Sequence, residues 1–203
     1  MRTAIILGGT RPHVELINKL KSRGYYTILI DYLENSPCVT IADEHFKDST
    51  LDKKRVLEIA IEKNADLVIS TCIDQANAVC CYVAEKLGLP KPYNYQTALN
   101  VTDKGLMKQI MVQNNIPTSP YTVVTAIDEI NWNDISFPVV VKPVDCNSSK
   151  GVHKADTKDE AIEYVQNALL LSRTGHAIIE KFVSGREIQV DCFVENKNKA
   201  TVL

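Results

Sequence analysis

The 203-residue sequence predicts an α/β protein: a parallel, doubly wound sheet unit over residues 1–94, then a smaller α+β module. Three observations point there. Short apolar runs alternate with apolar stripes at helical spacing in the first half. A proline-bracketed segment, Ile116-Pro117-Thr118-Ser119-Pro120, then interrupts the chain. Beyond it, the β-branched run Val139-Val140-Val141 reads as a buried strand, yet it ends in Lys142.

Taken in order, Ala4-Ile5-Ile6-Leu7 is a strand that stops at Gly8-Gly9-Thr10, and Val14, Leu16, Ile17 and Leu20 then recur at helical spacing until Gly24. Thr27-Ile28-Leu29-Ile30-Asp31 gives a second strand. Leu67-Val68-Ile69-Ser70 gives a third, after a helix whose start carries a capping-box pattern over residues 49–52. Ala76, Val79, Cys80, Val83, Ala84 and Leu87 form the clearest helical stripe, ended by Gly88 and Pro90. A helix from about Thr102-Asp103-Lys104 to Asn114-Asn115 leads into the proline segment. The second module holds strands Tyr121–Val124, Val139–Lys142 and Ala177–Glu180, with a helix opened by the capping box Thr157-Lys158-Asp159-Glu160. From Glu187 to Val194 the chain alternates strictly, which predicts a half-buried strand. It then turns at Glu195-Asn196-Lys197-Asn198-Lys199 into a hairpin partner ending at Leu203. An ending inside a strand suggests a truncated chain or a split gene.

Composition narrows the function classes. Lys plus Arg number 23 against 25 Asp plus Glu, a formal charge of -2, so no basic field is available for a nucleic-acid backbone. No apolar run approaches a membrane span. The six cysteines show no CxxC pair and no zinc-like Cys/His spacing, and no secretory signal precedes them. Reduced thiols in a cytoplasm fit this pattern. His13, His45, His153 and His176 are scattered, which favours surface or packing roles over metal ligation.

Lys142 is the chemical puzzle, because a buried ammonium is costly unless an anion meets it. The loop after it, Val144-Asp145-Cys146-Asn147-Ser148-Ser149-Lys150-Gly151-Val152, is small and polar enough to aim N–H groups and hydroxyls at a phosphate. Gly151 would permit a positive φ or a close approach there. A lysine reaching solvent beside an ordinary polar loop is an equally good reading of these residues alone. Lys104 sits next to Asp103 at a helix start, where the dipole disfavours a cation unless an anion compensates. In Glu180-Lys181-Phe182-Val183-Ser184-Gly185-Arg186-Glu187, a strand leaves its sheet through a partly apolar link. Such a link exposes a carbonyl and an amide able to read an adenine edge, and Glu187 could accept from ribose hydroxyls. A charged hairpin loop is the plainer alternative.

In this order the pieces resemble the ATP-grasp superfamily of ligases, particularly its carbamoyl-phosphate-synthase-like, PylC-like and purine-biosynthetic carboxylate ligases. The matching signs are Thr102-Asp103-Lys104 with Met107-Lys108, then Asn115 to Pro120, then Phe137-Pro138-Val139-Val140-Val141-Lys142-Pro143 with Ser148 to Val152, then Glu180 to Val183 and Gly185-Arg186-Glu187. The resemblance covers about residues 100–194, and residues 1–94 look like the Rossmann-like domain that precedes it. It implies three units: 1–94 as that pre-ATP-grasp domain, 95–186 as linking helix and lid of an incomplete ATP-grasp fold, and 187–203 as the start of its C-terminal subdomain.

The resemblance further implies that Lys104 and Lys142 contact ATP phosphates and that the loop with Ser148, Ser149, Lys150 and Gly151 closes over them. The Glu180 carbonyl and Val183 amide would hold adenine, Lys181 and Phe182 would line its pocket, and Glu187 would bind ribose. The implied reaction is ATP-dependent activation of a small-molecule carboxylate as an acyl phosphate, which an amine or similar nucleophile attacks. Mg²⁺ would assist, with its ligands and the catalytic arginine beyond residue 203, so that residues 1–203 alone would be inactive. A homo-oligomer is compatible with it.

Gly8, Gly9 and Thr10, with Asp74 after the third strand, would face the acceptor substrate, because ligands lie at strand C-terminal ends in open sheets. Asp74 reads equally well as a helix cap. Two other functions stay open: a non-catalytic nucleotide-binding or regulatory module of the same fold, and a Rossmann oxidoreductase binding NAD through residues 1–94. The latter is disfavoured because Gly8-Gly9-Thr10-Arg11-Pro12-His13 lacks the third glycine of the dinucleotide fingerprint.

Overall fold

The computed structural model describes residues 1–147, 149–196 and 199–202. Strands β1 (Arg2–Leu7), β2 (Tyr25–Ile30), β3 (Glu44–Phe46) and β4 (Leu67–Ile69) form a four-stranded sheet in the order β3-β2-β1-β4. All its pairings are parallel. Helix α1 (Arg11–Ser22) covers one face, where Ala4, Ile6 and Leu29 meet Ile17 and Leu20. Helices α2 (Lys53–Glu62) and α3 (Asp74–Leu87) cover the other, where Ile5, Leu7, Ile28 and Ile30 meet Val56, Ile59, Val79 and Val83. Residues of opposite parity on β1 therefore feed opposite cores, as a doubly wound sheet requires.

Two details differ from the sequence reading. The strand at residues 67–69 is the fourth, because Glu44–Phe46 adds to the outer edge of β2. That segment carries no apolar run, and only its pairing with β2 makes it a strand. Helix α2 is capped by Asp52, whose Oδ1 accepts from the Lys54 and Arg55 amides, whereas the Ser49 hydroxyl accepts from the Leu51 amide, ahead of the helix.

Two helices follow: α4 (Tyr95–Thr102), capped by the Asn94 side chain, and α5 (Lys104–Gln113), capped by Asp103. The sequence reading omits α4, whose one buried residue is Ala98. Strands β5 (Tyr121–Val124), β6 (Val139–Pro143), β7 (His153–Ala155) and β8 (Ala177–Lys181) build an antiparallel sheet in the order β5-β8-β6-β7. Helix α6 (Lys158–Leu171) opens with the expected capping box and seats Ala161, Val165 and Ala168 on Val139, Val141 and Ile179. Trp132 packs at the edge of this core.

The hairpin of β9 (Cys192–Asn196) and β10 (Lys199–Val202) ends the chain. Here the expectation of a half-buried strand from Glu187 fails. Residues 187–191 form no strand, and Ile188, Val190, Phe193 and Val194 are all exposed, because no described element covers either face of the hairpin. The turn residues Lys197 and Asn198, together with Leu203, lie outside the described residues.

Candidate functional site

Alternation along β6 decides which residues are available for chemistry. Val139 and Val141 point into the α6 core, so Val140 and Lys142 point to the opposite face. Register places Glu180 and Ile178 of β8 on that same face, opposite Val140 and Lys142. Helix α5 lies over it, carrying Lys104 and Lys108 one turn apart.

The anion that meets Lys142 is Glu180: Nζ lies 2.7 Å from Oε1. This ion pair lacks the alignment of a hydrogen bond, and Oε1 is otherwise buried without a partner. The other oxygen, Oε2, accepts from the Ser119 hydroxyl at 3.2 Å and lies 3.0 Å from Lys108 Nζ. Lys108 is 6% exposed and also donates to the Ser119 carbonyl at 3.2 Å and hydroxyl at 2.6 Å. Burial alone would raise the Glu180 carboxyl, but its close pairing with the Lys142 and Lys108 ammonium groups outweighs that and holds the group below its ordinary value.

Lys104 reaches the loop after β6, donating from Nζ to the Cys146 carbonyl at 2.6 Å. Its amide meets the Val144 carbonyl at 2.9 Å. Burial, and then the charge of Lys142, push its ammonium below the ordinary lysine value. The two lysines singled out by sequence thus share one electrostatic environment. Further along the loop, Lys150 N bonds to Asn147 O and Val152 N to Ser149 O. Ser149 and Lys150 are exposed. Gly151 has φ +73°, and a Cβ there would lie 2.7 Å from Leu171 Cδ1, so both reasons for glycine apply. Ser148 lies outside the described residues.

The segment leaving β8 is exposed from Lys181 onward, including Phe182, Val183 and Glu187. Its ladder bonds decide which carbonyl is free. Phe182 N bonds to Pro138 O, so by antiparallel alternation Glu180, two residues earlier, exchanges its backbone bonds with Val140. Lys181 faces the other way, its amide bonding to Pro120 O at 2.9 Å, and proline has no N–H to return. The unclaimed carbonyl is therefore that of Lys181. The Glu180 carbonyl, to which the sequence reading gives the adenine contact, is taken up by the sheet.

At the C-terminal edge of the parallel sheet, the loops after β1 and β4 are tied by His13. The buried His13 meets Thr10 Oγ1 at 2.7 Å and Ser70 Oγ at 3.3 Å, and burial lowers its pKa. Gly9 is pressed against Ser36 and Asp31: a Cβ there would lie 2.7 Å from Ser36 Cβ and 2.8 Å from Asp31 Oδ2. Gly8 N bonds to Ile30 O. Asp74 is the first helical residue of α3, after the cap position at Ile73, where an acidic side chain suits the dipole.

Sequence reasoning missed the bridge between the two sheets. The Gln75 and Asn147 amides exchange bonds of 2.9 and 2.8 Å, and Gln75 also donates to the Asp145 carbonyl at 2.9 Å. Asp145 Oδ2 in turn accepts from the Arg173 and Thr174 amides. The loop beside Lys104 is thereby fixed from both sides. Lys108 was visible as the i+4 partner of Lys104, but its role depends on Ser119 and Glu180, which are remote in sequence. Among the described residues no group of three or more His, Cys, Asp or Glu side chains comes together to hold a metal. Nor is any helix long and apolar enough to cross a membrane.

Comparison with known proteins bears on the family and the fold. Residues 102–203 match the model of the phosphoribosylglycinamide synthetase ATP-grasp (A) domain. A formate-dependent phosphoribosylglycinamide formyltransferase from Prochlorococcus marinus subsp. pastoris is 26% identical over 185 residues, covering 89% of this chain and 47% of that protein. The phosphoribosylglycinamide synthetase structure from Anaerococcus prevotii aligns with a TM-score of 0.68 at 25% identity, over all of this chain and 51% of that one. An N5-carboxyaminoimidazole synthetase from Staphylococcus aureus, solved with ADP, shares the fold with a TM-score of 0.75 at 17% identity, over all of this chain and 53% of that one. The chain spans about half the length of the curated relatives it matches.

Proposed function

The chain belongs to the family of the phosphoribosylglycinamide synthetase ATP-grasp (A) domain, and from that premise we propose that it is the ATP-binding portion of a ligase. The ligase activates a small-molecule carboxylate as an acyl phosphate for attack by an amine or similar nucleophile. The observation that carries this reading is the single sheet face on which Lys142, Lys104 and the free end of β8 converge. Lys142 and Lys104 hold phosphoryl oxygens, and the turns through Ser149, Lys150 and Gly151 border them. The Lys181 carbonyl and the Val183 amide meet the adenine edge, Phe182 covers its ring, and Glu187 takes the ribose hydroxyls.

We take residues 1–94 as the Rossmann-like unit, 95–186 as linking helices and lid, and 187–203 as the start of a further subdomain. Gly8, Gly9, Thr10 and Asp74 border the acceptor substrate, at the strand ends where open sheets bind ligands. The phosphate charge would be neutralised in part by magnesium, for which the described residues bring together no group of three or more His, Cys, Asp or Glu ligands, and the protein is cytoplasmic with reduced thiols. Calorimetry with ADP on the complete protein tests the nucleotide site, and hydroxylamine trapping over a panel of carboxylic acids with ATP tests the chemistry. Absence of ADP binding would remove the first claim. Binding without ATP-dependent hydroxamate from any acid would leave a nucleotide-binding module in place of a ligase.

A further inference from the structure

Two ammonium groups share the Glu180 carboxylate, and they are held very differently. Lys108 has three oxygen partners within 3.2 Å: the Ser119 carbonyl, the Ser119 hydroxyl and Glu180 Oε2. Two of its protons go to Ser119 and its side chain is 7% exposed, so it is anchored outside the ion pair and has no path to a ligand. Lys142 has one partner among the described residues, Glu180 Oε1 at 2.7 Å, and its side chain is 21% exposed. One lysine is anchored by Ser119 as well as by Glu180, and the other by Glu180 alone.

We propose, resting on the nucleotide reading above, that Lys108 is a positioning residue: it neutralises Glu180 permanently, so that Lys142 can leave that carboxylate for a phosphoryl oxygen. Without Lys108, Lys142 would be the only counter-charge of a buried carboxylate, and its transfer to phosphate would strand that charge. Glu180 in turn parks Lys142 on the correct sheet face while the site waits for ligand. Lys108 itself touches no part of the nucleotide.

A mutant cycle read by ADP calorimetry on the complete protein tests this. Lys108→Met should weaken ADP by about tenfold or more, equivalent to about 1.4 kcal/mol. In the Glu180→Gln background the same Lys108→Met change should cost less than about threefold, because no buried charge remains to hold Lys142 back. A helix-anchoring role for Lys108 would give the same loss in both backgrounds, and that result overturns the proposal, as does an unchanged affinity for Lys108→Met alone. If Lys108→Met does not fold, Lys108→Gln keeps a donor for Ser119 without the charge and should show the same background dependence. Lys108→Arg, which keeps the charge, should stay within about threefold of wild type. Failure of the wild-type protein to bind ADP would refute the underlying nucleotide reading, whereas binding with a flat cycle would refute only the role of Lys108.

Discussion

Replacing Lys142 by alanine separates its two electrostatic tasks. For stability, the relevant fact is that Glu180 keeps a second cation, Lys108, 3.0 Å from Oε2. Removing the sole partner of a buried carboxylate costs about 3–5 kcal/mol. Because Lys108 and Ser119 remain, Lys142→Ala should cost on the order of 1–2 kcal/mol in urea denaturation. For binding, a charge-assisted contact to phosphate contributes about 1.5–3 kcal/mol. Part of that is offset by surrendering the Glu180 pair, which is partly exposed and worth up to about 1 kcal/mol. The net loss should be about 1–2 kcal/mol, or roughly five- to thirtyfold in the Kd for ADP by calorimetry. An independent readout comes from Lys104, whose ammonium is held down first by burial and then by Lys142. Its titration, followed by NMR of labelled lysine, should move upward in Lys142→Ala. A folded variant that binds ADP within twofold of wild type and leaves the Lys104 titration unmoved would refute the shared-site argument.

Three further outcomes follow from particular contacts. Because the Lys104 pKa is lowered in the free protein, an anion placed beside it should raise it again, so ADP binding in alkaline buffer should take up protons. Calorimetry in buffers of different ionisation enthalpy measures that uptake, and none would count against Lys104 as a phosphate contact. Asp43 clamps the end of α1 to β2 through Lys21 and Thr27; burial pushes its carboxyl up, but those bonds pull it from 3.8 to about 2. Its folded value is depressed, so its stabilisation is complete above pH 3.8 and is lost as pH falls through about 2. Asp43→Asn should therefore destabilise at neutral pH by about 1 kcal/mol, given partial exposure, and the difference from wild type should close at acid pH. Gly9→Ala forces a methyl against Ser36 and Asp31 and should cost about 1–3 kcal/mol in a thermal or urea melt; an unchanged midpoint would show that this corner yields.

Much of the fold was legible because it is written in local patterns. The runs Ala4–Leu7 and Thr27–Ile30 and the stripe Ala76 to Ala84 each state their own burial, and Thr157 with Glu160 forms the expected reciprocal cap. What was missed has no such local signature. Glu44-His45-Phe46 is a strand only because β2 offers an edge, and His153-Lys154-Ala155 only because β6 does. The stretch from Glu187 to Val194 shows the converse: its alternation is real, but a half-buried strand also needs a surface to be buried against, and Ile188 and Val190 have none among the described residues.

The site divides along the same line. A lysine at the end of an apolar strand announces that it needs an anion, and sequence can say so without saying which anion. Glu180 stands 38 positions later, and register alone brings it beside Lys142. Its presence offers one answer to the puzzle, with no phosphate in it. The charge balance argues otherwise. Lys142 and Lys108 together offer two positive charges to one carboxylate, so this cluster keeps an excess of positive charge after Glu180 is counted, while Lys104 beside it feels Lys142 on one side and Asp145 and Asp74 on the other. In a protein of net charge -2 that excess is local rather than a property of the whole surface. Its asymmetry matters as much as its sign: Lys108 is also anchored by Ser119, whereas Lys142, held by Glu180 alone among the described residues, is the more open to a ligand.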